Sequence, residues 1–214
     1  MKVIDLSHTI KENMPVYPGT EQPELLIVNT CENDGFKETK ISMYSHVGTH
    51  IDAPAHIYSD GITLDAFPTD QFIGKALVID CRNISSEENI TIEYLAKYGD
   101  KIHCADFLLF NTGWDKKWGT TEYFSSYPCI DEEVLELIIK KNYKGIGFDT
   151  FSPDPLDHDQ IKRHKKLFKA KDIINIENLC NLEKCGNELF TIAALPIKTV
   201  NSDGAPARVV AIIE

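Results

Sequence analysis

The chain has 214 residues, 43% of them hydrophobic and 26% charged, with a formal net charge of −11. A chain of that length builds one ordinary core without staples, and its surplus of carboxylates excludes a phosphate-backbone partner, which needs clustered Lys and Arg. No apolar run nears the roughly 20 residues that cross a bilayer, and the start, MKVIDLSHTIKENMPVYPG, has no apolar signal core, so the expectation is a cytoplasmic protein with neither nucleic-acid nor membrane partner.

In chain order, residues 3–6 form a short strand, and residues 14–23, with three prolines and a glycine, an extended loop. Residues 38–44 alternate as a strand does, and KALVID at 75–80 reads as a buried strand. A helical spacing over 92–98 ends at Gly99, and 107–110 is a short apolar strand. DEEVLELIIKKN at 131–142 is the clearest helix, with acids in its first turn and lysines in its last, as the helix dipole favours. GIGFD at 145–149 follows as a strand, and 160–170 as a second amphipathic helix. Strands close the chain at 173–177, 189–195 and 207–213. Strands at both ends with helices between them give one α/β or α+β domain over 1–214, without fixing its topology. The basic run 162–166 reads as a solvated helix face. The six cysteines contain no C-x-x-C pair, so they read as reduced thiols.

Nothing in SHVGTHIDAPAH, residues 45–56, serves a core. A lone histidine is ordinarily a surface or core group, but here three of the chain's seven lie in twelve residues, interleaved with an aspartate. The spacing is His46-x-x-x-His50-x-Asp52-x-x-x-His56. On a helix His46 and His50 would share a face while Asp52 turned away by about 200°. Gly48 and Pro54 oppose a continuous helix, so the segment is predicted to be a tight irregular turn that folds all four side chains inward. Two imidazoles and a carboxylate suit Zn²⁺, Mn²⁺ or Fe²⁺. Three protein ligands with open positions mark a catalytic rather than a structural site, and the remaining histidine can move protons near neutral pH.

The pattern H-x-G-T-H-x-D-A-P-x-H resembles the signature of the cyclase family of metal-dependent hydrolases, which includes bacterial kynurenine formamidases (arylformamidases) and isatin hydrolases. VIDLSHTIKENMPVYPGT, LLFNTGW, GFDTFSPDP, INIENLCNL and ALPIKTVNSDGAPARVVAI resemble the family's other segments in order, so the likeness runs nearly end to end. The resemblance implies an α/β domain with a β-barrel-like mixed sheet core flanked by helices, assembled as a homodimer or higher homo-oligomer. It implies His46, His50 and Asp52 as ligands of one metal, Asp52 as a bridge to a second, and His56 as the catalytic proton carrier. Glu177 matches the late carboxylate ligand; it sits among Ile173, Ile174 and Ile176, where an unpaired charge is costly and a metal removes that cost. The late histidine ligand falls to His164, ahead of His158. Tyr17 stands where kynurenine formamidases carry a tryptophan against the substrate ring. With Tyr17, the aromatics Phe67, Trp114 and Phe151, near family segments, are expected to line the pocket for the aryl amine.

The implied reaction is amide hydrolysis with one or two divalent metals per chain, zinc ahead of manganese. Metal-bound hydroxide attacks the carbonyl and His56 carries the proton to the leaving nitrogen. The chain has no G-x-S-x-G elbow for a serine route. The leading expectation is an arylformamidase of tryptophan catabolism acting on a small molecule such as N-formylkynurenine. Alternatives are a related hydrolase or cyclase of a cyclic amide such as isatin, a lactone or a polyketide, and a non-catalytic metal- or ligand-binding protein.

Overall fold

A computed structural model describes residues 1–156 and 160–213. Its elements are β1 (Lys2–Asp5), β2 (Glu24–Asn29), α1 (Cys31–Asp34), β3 (Glu38–Ser42), β4 (His50–Asp52), β5 (Ile73–Asp80), α2 (Ile92–Ala96), α3 (Lys101–Cys104), β6 (Phe107–Asn111), α4 (Glu132–Lys140), β7 (Gly145–Phe148), α5 (Lys162–Ala170), β8 (Ile174–Glu177), β9 (Phe190–Pro196) and β10 (Gly204–Ile213), with short 3-10 turns between some of them. Eight strands pair in the order β1-β10-β4-β8-β7-β6-β5-β9, and β9 pairs back onto β10. Seven strands therefore close into a barrel. Pairs β5–β6, β6–β7 and β7–β8 are parallel, and the remaining pairs of the ring are antiparallel. β1 and β4 share one edge of the long β10: residues 204–206 take β4 and residues 210–213 take β1. Closure satisfies the strand edges that an open sheet would leave unpaired.

Side-chain alternation sorts each wall strand into two cores. Ala76, Val78, Phe107, Leu109, Ile174, Ile176, Ile51 and Val209 fill the barrel interior. Leu77, Ile79, Leu108, Phe110, Ile146 and Phe148 point outward, where residues of α2, α4 and α5 cover them. α4 begins at Asp131, whose carboxylate accepts the Val134 N–H at 2.9 Å, as an N-cap should. It buries Val134, Leu135 and Ile138. α5 buries His164, Leu167 and Phe168, one i, i+3, i+4 stripe, and leaves Lys162, Lys165 and Lys169 exposed. Lys166 bridges to Glu132 and Glu136, tying α5 to α4.

Two readings of the sequence change. Residues 45–56 are not one irregular turn: a bend over 45–49 leads into β4, and Pro54–His56 forms a 3-10 turn. The backbone groups of 50–52 are claimed by β8 on one side and β10 on the other, so they take strand geometry. ELLIVN at 24–29, unassigned in sequence, pairs with β3 as a separate two-stranded sheet, in which every residue of β3 is exposed. Among the described residues no helix is long and apolar enough to cross a membrane.

Candidate metal centre

The centre lies on the outer face of the barrel wall. Ile51 and Ile176 face inward, so the alternate residues of β4 and β8 face outward. The antiparallel register sets His50 opposite Glu177 and Asp52 opposite Asn175. One three-residue strand and its neighbour thus place an imidazole, two carboxylates and a carboxamide in one patch, all four side chains buried. The turn before β4 is held from outside. Gly48 takes φ +62, a conformation glycine adopts without strain. The Thr49 hydroxyl donates to the Asn178 carbonyl at 2.6 Å and accepts the His8 N–H at 2.8 Å.

α5 supplies the fourth wall. Ile161 at its N-terminus offers no side-chain cap. Asp154 acts in its place: Oδ1 accepts the Arg163 N–H at 2.8 Å and Oδ2 the His164 N–H at 3.0 Å. The same Oδ2 accepts the His164 Nδ1–H at 2.8 Å. His164 Nε2 is thereby aimed at the wall, 3.3 Å from Asp52 Oδ2 and 3.3 Å from Glu177 Oε1.

His50 is aimed the same way. Its Nδ1–H donates to the Gly48 carbonyl at 2.9 Å, leaving Nε2 3.2 Å from Asp52 Oδ1 and 3.4 Å from Glu177 Oε2. His46 Nδ1 is 2.7 Å from Asp52 Oδ1 and its Nε2 3.0 Å from Asp203 Oδ2. Asp52 is therefore shared: Oδ1 meets His46 and His50, and Oδ2 meets His164. Two groups, His46–His50–Asp52 and Asp52–His164–Glu177, each hold their ligand atoms within 4.8 Å of one another.

These residues fit a divalent cation. With both Nδ1 protons committed elsewhere, the neutral rings of His50 and His164 would turn lone pairs onto carboxylate oxygens. Only protons or a cation can sit between them. The metal-free chain takes the first course. Burial opposes the imidazolium of His50, but Asp52 and Glu177 outweigh it and raise the group to about 10. His164 is likewise raised well above its ordinary value against burial, by Asp154, Asp52 and Glu177. Burial would push Asp52 up, yet His50, His164 and His46 hold it well below the usual carboxylate range. Asn175 Nδ2 donates to Asp52 Oδ2 at 2.8 Å and to Glu177 Oε1 at 3.0 Å, while its Oδ1 is buried without a partner. Imidazole nitrogens and carboxylate oxygens converging in this way match Zn²⁺ or Mn²⁺ chemistry, with Gly48 and Asp154 as the outer partners that orient metal-bound histidines.

The patch opens into a cavity of about 430 Å³ lined by His46, His56, Asp203, Tyr17, Tyr44 and Phe151, among others. The rings of Tyr17 and Phe151 lie 6.0 Å apart. His56, from the 3-10 turn, sets its ring 4.0 Å from that of His46 and 6.0 Å from that of His164. Desolvation lowers His56 from its ordinary value, which leaves it neutral and able to accept a proton.

The structure thus brings together His46, His50, Asp52, His56, His164 and Glu177, with Tyr17 on the cavity wall. His158 lies outside the described residues. Phe67 and Trp114 do not line the cavity. Phe67 fills the barrel interior, and Trp114 packs in the aromatic cluster that also holds Phe151, with its indole N–H on the Tyr123 carbonyl at 3.0 Å. Sequence reasoning missed Asp154, Asn175, Asp203 and Tyr44. The first three lay inside segments quoted for the family likeness, and Asn175 shares a strand face with Glu177 at i, i+2; that period was the available signal.

Converging imidazoles and carboxylates with one side open to an apolar cavity mark a metal-dependent enzyme centre rather than a closed structural metal site. The comparisons carry this further. Residues 4–155 match the family model described as "Putative cyclase". Kynurenine formamidase from Geobacillus thermodenitrificans is 32% identical over 207 residues, 96% of this chain and 94% of that one. Isatin hydrolase A from Labrenzia aggregata, solved with benzyl benzoate, superposes with a TM-score of 0.87 at 26% identity, covering 98% of this chain and 93% of that one. A structure described as a potential metal-dependent hydrolase with cyclase activity gives 0.80 at 28% identity, covering 98% and 96%. The chain belongs to the cyclase family of metal-dependent hydrolases.

Proposed function

We propose that this chain is an arylformamidase, hydrolysing the N-formyl group of an aryl amine such as N-formylkynurenine. At the coarser level it is a metal-dependent amidohydrolase, acting on carbon–nitrogen bonds other than peptide bonds. The observation that carries the finer reading is the cavity itself: the His–carboxylate patch meets an aromatic pair, Tyr17 and Phe151, in about 430 Å³. That is room for an aryl amine beside a small acyl group. The full-length likeness to kynurenine formamidases agrees with it.

In this reading His46, His50, Asp52, His164 and Glu177 would hold one or two divalent ions, zinc in preference to manganese. When bound, such an ion lowers the pKa of water towards about 7 and polarises the amide carbonyl. The chain's own groups do the rest. Asp52 and Glu177 offset the ion's charge. Tyr17 and Phe151 orient the aryl ring. His56, neutral and open to the cavity, accepts the proton of the attacking water on its imidazole nitrogen and returns it to the leaving amine nitrogen. A cyclic amide such as isatin is the second reading, favoured by the isatin hydrolase superposition. A second copy of the chain is the partner assigned to the β2–β3 sheet. An isolated two-stranded sheet is marginal in water, and Leu26, Ile27, Val28 and Ile41 lie on it about half exposed.

The test is metal-restored turnover. The chain is stripped with chelator, reloaded with Zn²⁺ or Mn²⁺, and assayed on N-formylkynurenine, a simple aryl formamide, isatin and a lactone, with His56→Ala as control. Formamide cleavage that returns with metal and fails in His56→Ala supports the proposal. Cleavage of isatin or the lactone alone moves the assignment to the second reading. Tight metal binding without turnover on any of the four refutes both the arylformamidase and the cyclic-amide reading, and favours a metal- or ligand-binding role.

A further inference from the structure

Of the three histidines around Asp52, His50 sits on a strand and His164 on a helix, while His46 sits on a bend and is partly open to solvent. A ligand on a loop needs something else to fix it. What holds it comes from the far end of the chain. Asp203 Oδ2 lies 3.0 Å from His46 Nε2 and also accepts the Ser45 hydroxyl at 3.4 Å. The Asp203 backbone is itself anchored, because its carbonyl accepts the Ala53 N–H at 2.9 Å just past β4. The next residue, Gly204, pairs with Asp52 across the β10–β4 ladder. The His46 ring lies flat against it: a Cβ at 204 would stand 2.7 Å from His46 Nε2 and 2.9 Å from Nδ1. Gly204 has no left-handed φ, so the glycine serves close approach and not backbone conformation.

We propose that Asp203 and Gly204 form the positioning device of His46, the carboxylate fixing the ring's tautomer and the bare glycine backbone fixing its plane. The inference rests on the metal-centre reading above. By holding the Nε2 proton, Asp203 leaves Nδ1 as the lone-pair nitrogen, on the side of Asp52, where His50 and His164 also point. Because the His56 ring lies 4.0 Å from the same ring, tilted 37° to it, the device sets the spacing between a metal ligand and the proton carrier. Asp203 acts through His46 and is a positioning residue.

The test measures zinc affinity of the full chain by competition with a chromophoric chelator, together with the Tm of the metal-free protein. Asp203→Asn and Gly204→Ala are compared with the wild type and with Asp65→Asn. Asp65 accepts the Ser202 N–H at 3.2 Å in the same loop without touching His46. The expected result is about 10- to 100-fold weaker zinc binding in Asp203→Asn, the range for losing an outer partner of a metal-bound histidine. Gly204→Ala should weaken binding similarly, Asp65→Asn should bind as the wild type does, and metal-free Asp203→Asn should still unfold in one cooperative transition, so that lost affinity is not lost fold. If Gly204→Ala does not fold, Asp203→Asn alone decides. Wild-type affinity in Asp203→Asn overturns the inference, and so does equal weakening in Asp65→Asn, which would assign the effect to the loop as a whole. A wild-type chain that binds no zinc or manganese overturns the metal-centre reading itself, and this inference with it.

Discussion

Asp154→Asn is the substitution on which the description of the centre is most exposed. One buried carboxylate accepts two N–H groups at the start of α5 and the Nδ1–H of His164. An asparagine keeps a single acceptor oxygen, and its amide hydrogens would face donors. At least one of the three donors is then left unpaired, and the charge is lost from all of them. A missing N-cap costs about 1 kcal/mol and a hydrogen bond to a charged acceptor about 1.5–3 kcal/mol, so the metal-free chain should lose about 2–4 kcal/mol, a large share of the ~5–15 kcal/mol that holds most domains. Releasing Nδ1 also frees the His164 ring, which should weaken metal binding by about 10- to 100-fold, or ~1.4–2.7 kcal/mol. Urea unfolding of the stripped protein reads the first quantity and chelator competition the second. A variant that loses stability yet binds zinc as before would refute the claim that the helix cap also aims the ligand. A variant changed in neither would refute the geometry.

His56→Ala should lower kcat by about 10²–10⁴-fold at unchanged zinc content, measured by turnover beside metal analysis; loss of zinc would make His56 a ligand instead. Glu177→Gln, equal in size but uncharged, should lower zinc affinity at least tenfold in the same competition assay, since it removes one of two charges offsetting the ion. Tyr17→Ala should raise KM on an aryl formamide by about 5- to 10-fold with kcat nearly kept, the effect of ~1 kcal/mol of lost apolar contact; a fall in kcat alone would contradict its placement on the aryl ring. The metal-free chain should also grow weaker in alkali. His50 titrates near 10 when folded against 6.5 as a free group, and His164 is raised too, so between these values the folded chain binds more protons than the unfolded one. That stability is complete below about pH 6.5 and is lost as pH rises towards 10. Urea midpoints at pH 6.5 and 9 should fall for the stripped protein and stay level for the zinc-loaded one, whose ion replaces the protons.

Much of the centre was legible because it is local. His46, His50, Asp52 and His56 fall within twelve residues, and no core or surface pattern explains such a run. Glu177 stood out as a charge inside an apolar strand. His164 was readable only by family likeness, since KRHKK looks like a solvated face; the structure shows the ring as the one buried group of that run. Asp154 and Asp203 carry no mark of their own, since what distinguishes them is a hydrogen bond spanning 10 residues in one case and 157 in the other. The family likeness implied a barrel-like core, but the residues themselves do not announce its closure. Strand patterns at residues 75–80 and 189–195 say that each is a strand, and nothing in either says that they pair. ELLIVN is a short apolar run that period alone does not assign to helix or strand. Its partner β3, five exposed residues with a single large apolar side chain, offers no buried face to reveal the match.

β10, the last strand in chain order among the described residues, takes part in closing the barrel. β10 receives β1, β4 and β9, and Asp203 and Gly204 stand at its start. At about 5–20 residues per second of synthesis, roughly 8–30 s pass between the emergence of Asp52 and that of Gly204. For most of that interval β8 is unmade as well, so the growing chain shows a histidine-rich turn with no strand on either side of it. A divalent ion could meet those side chains only as a loose and exchangeable set. Full assembly of the site waits on β10, and a chain cut before residue 203 should hold a divalent ion only weakly.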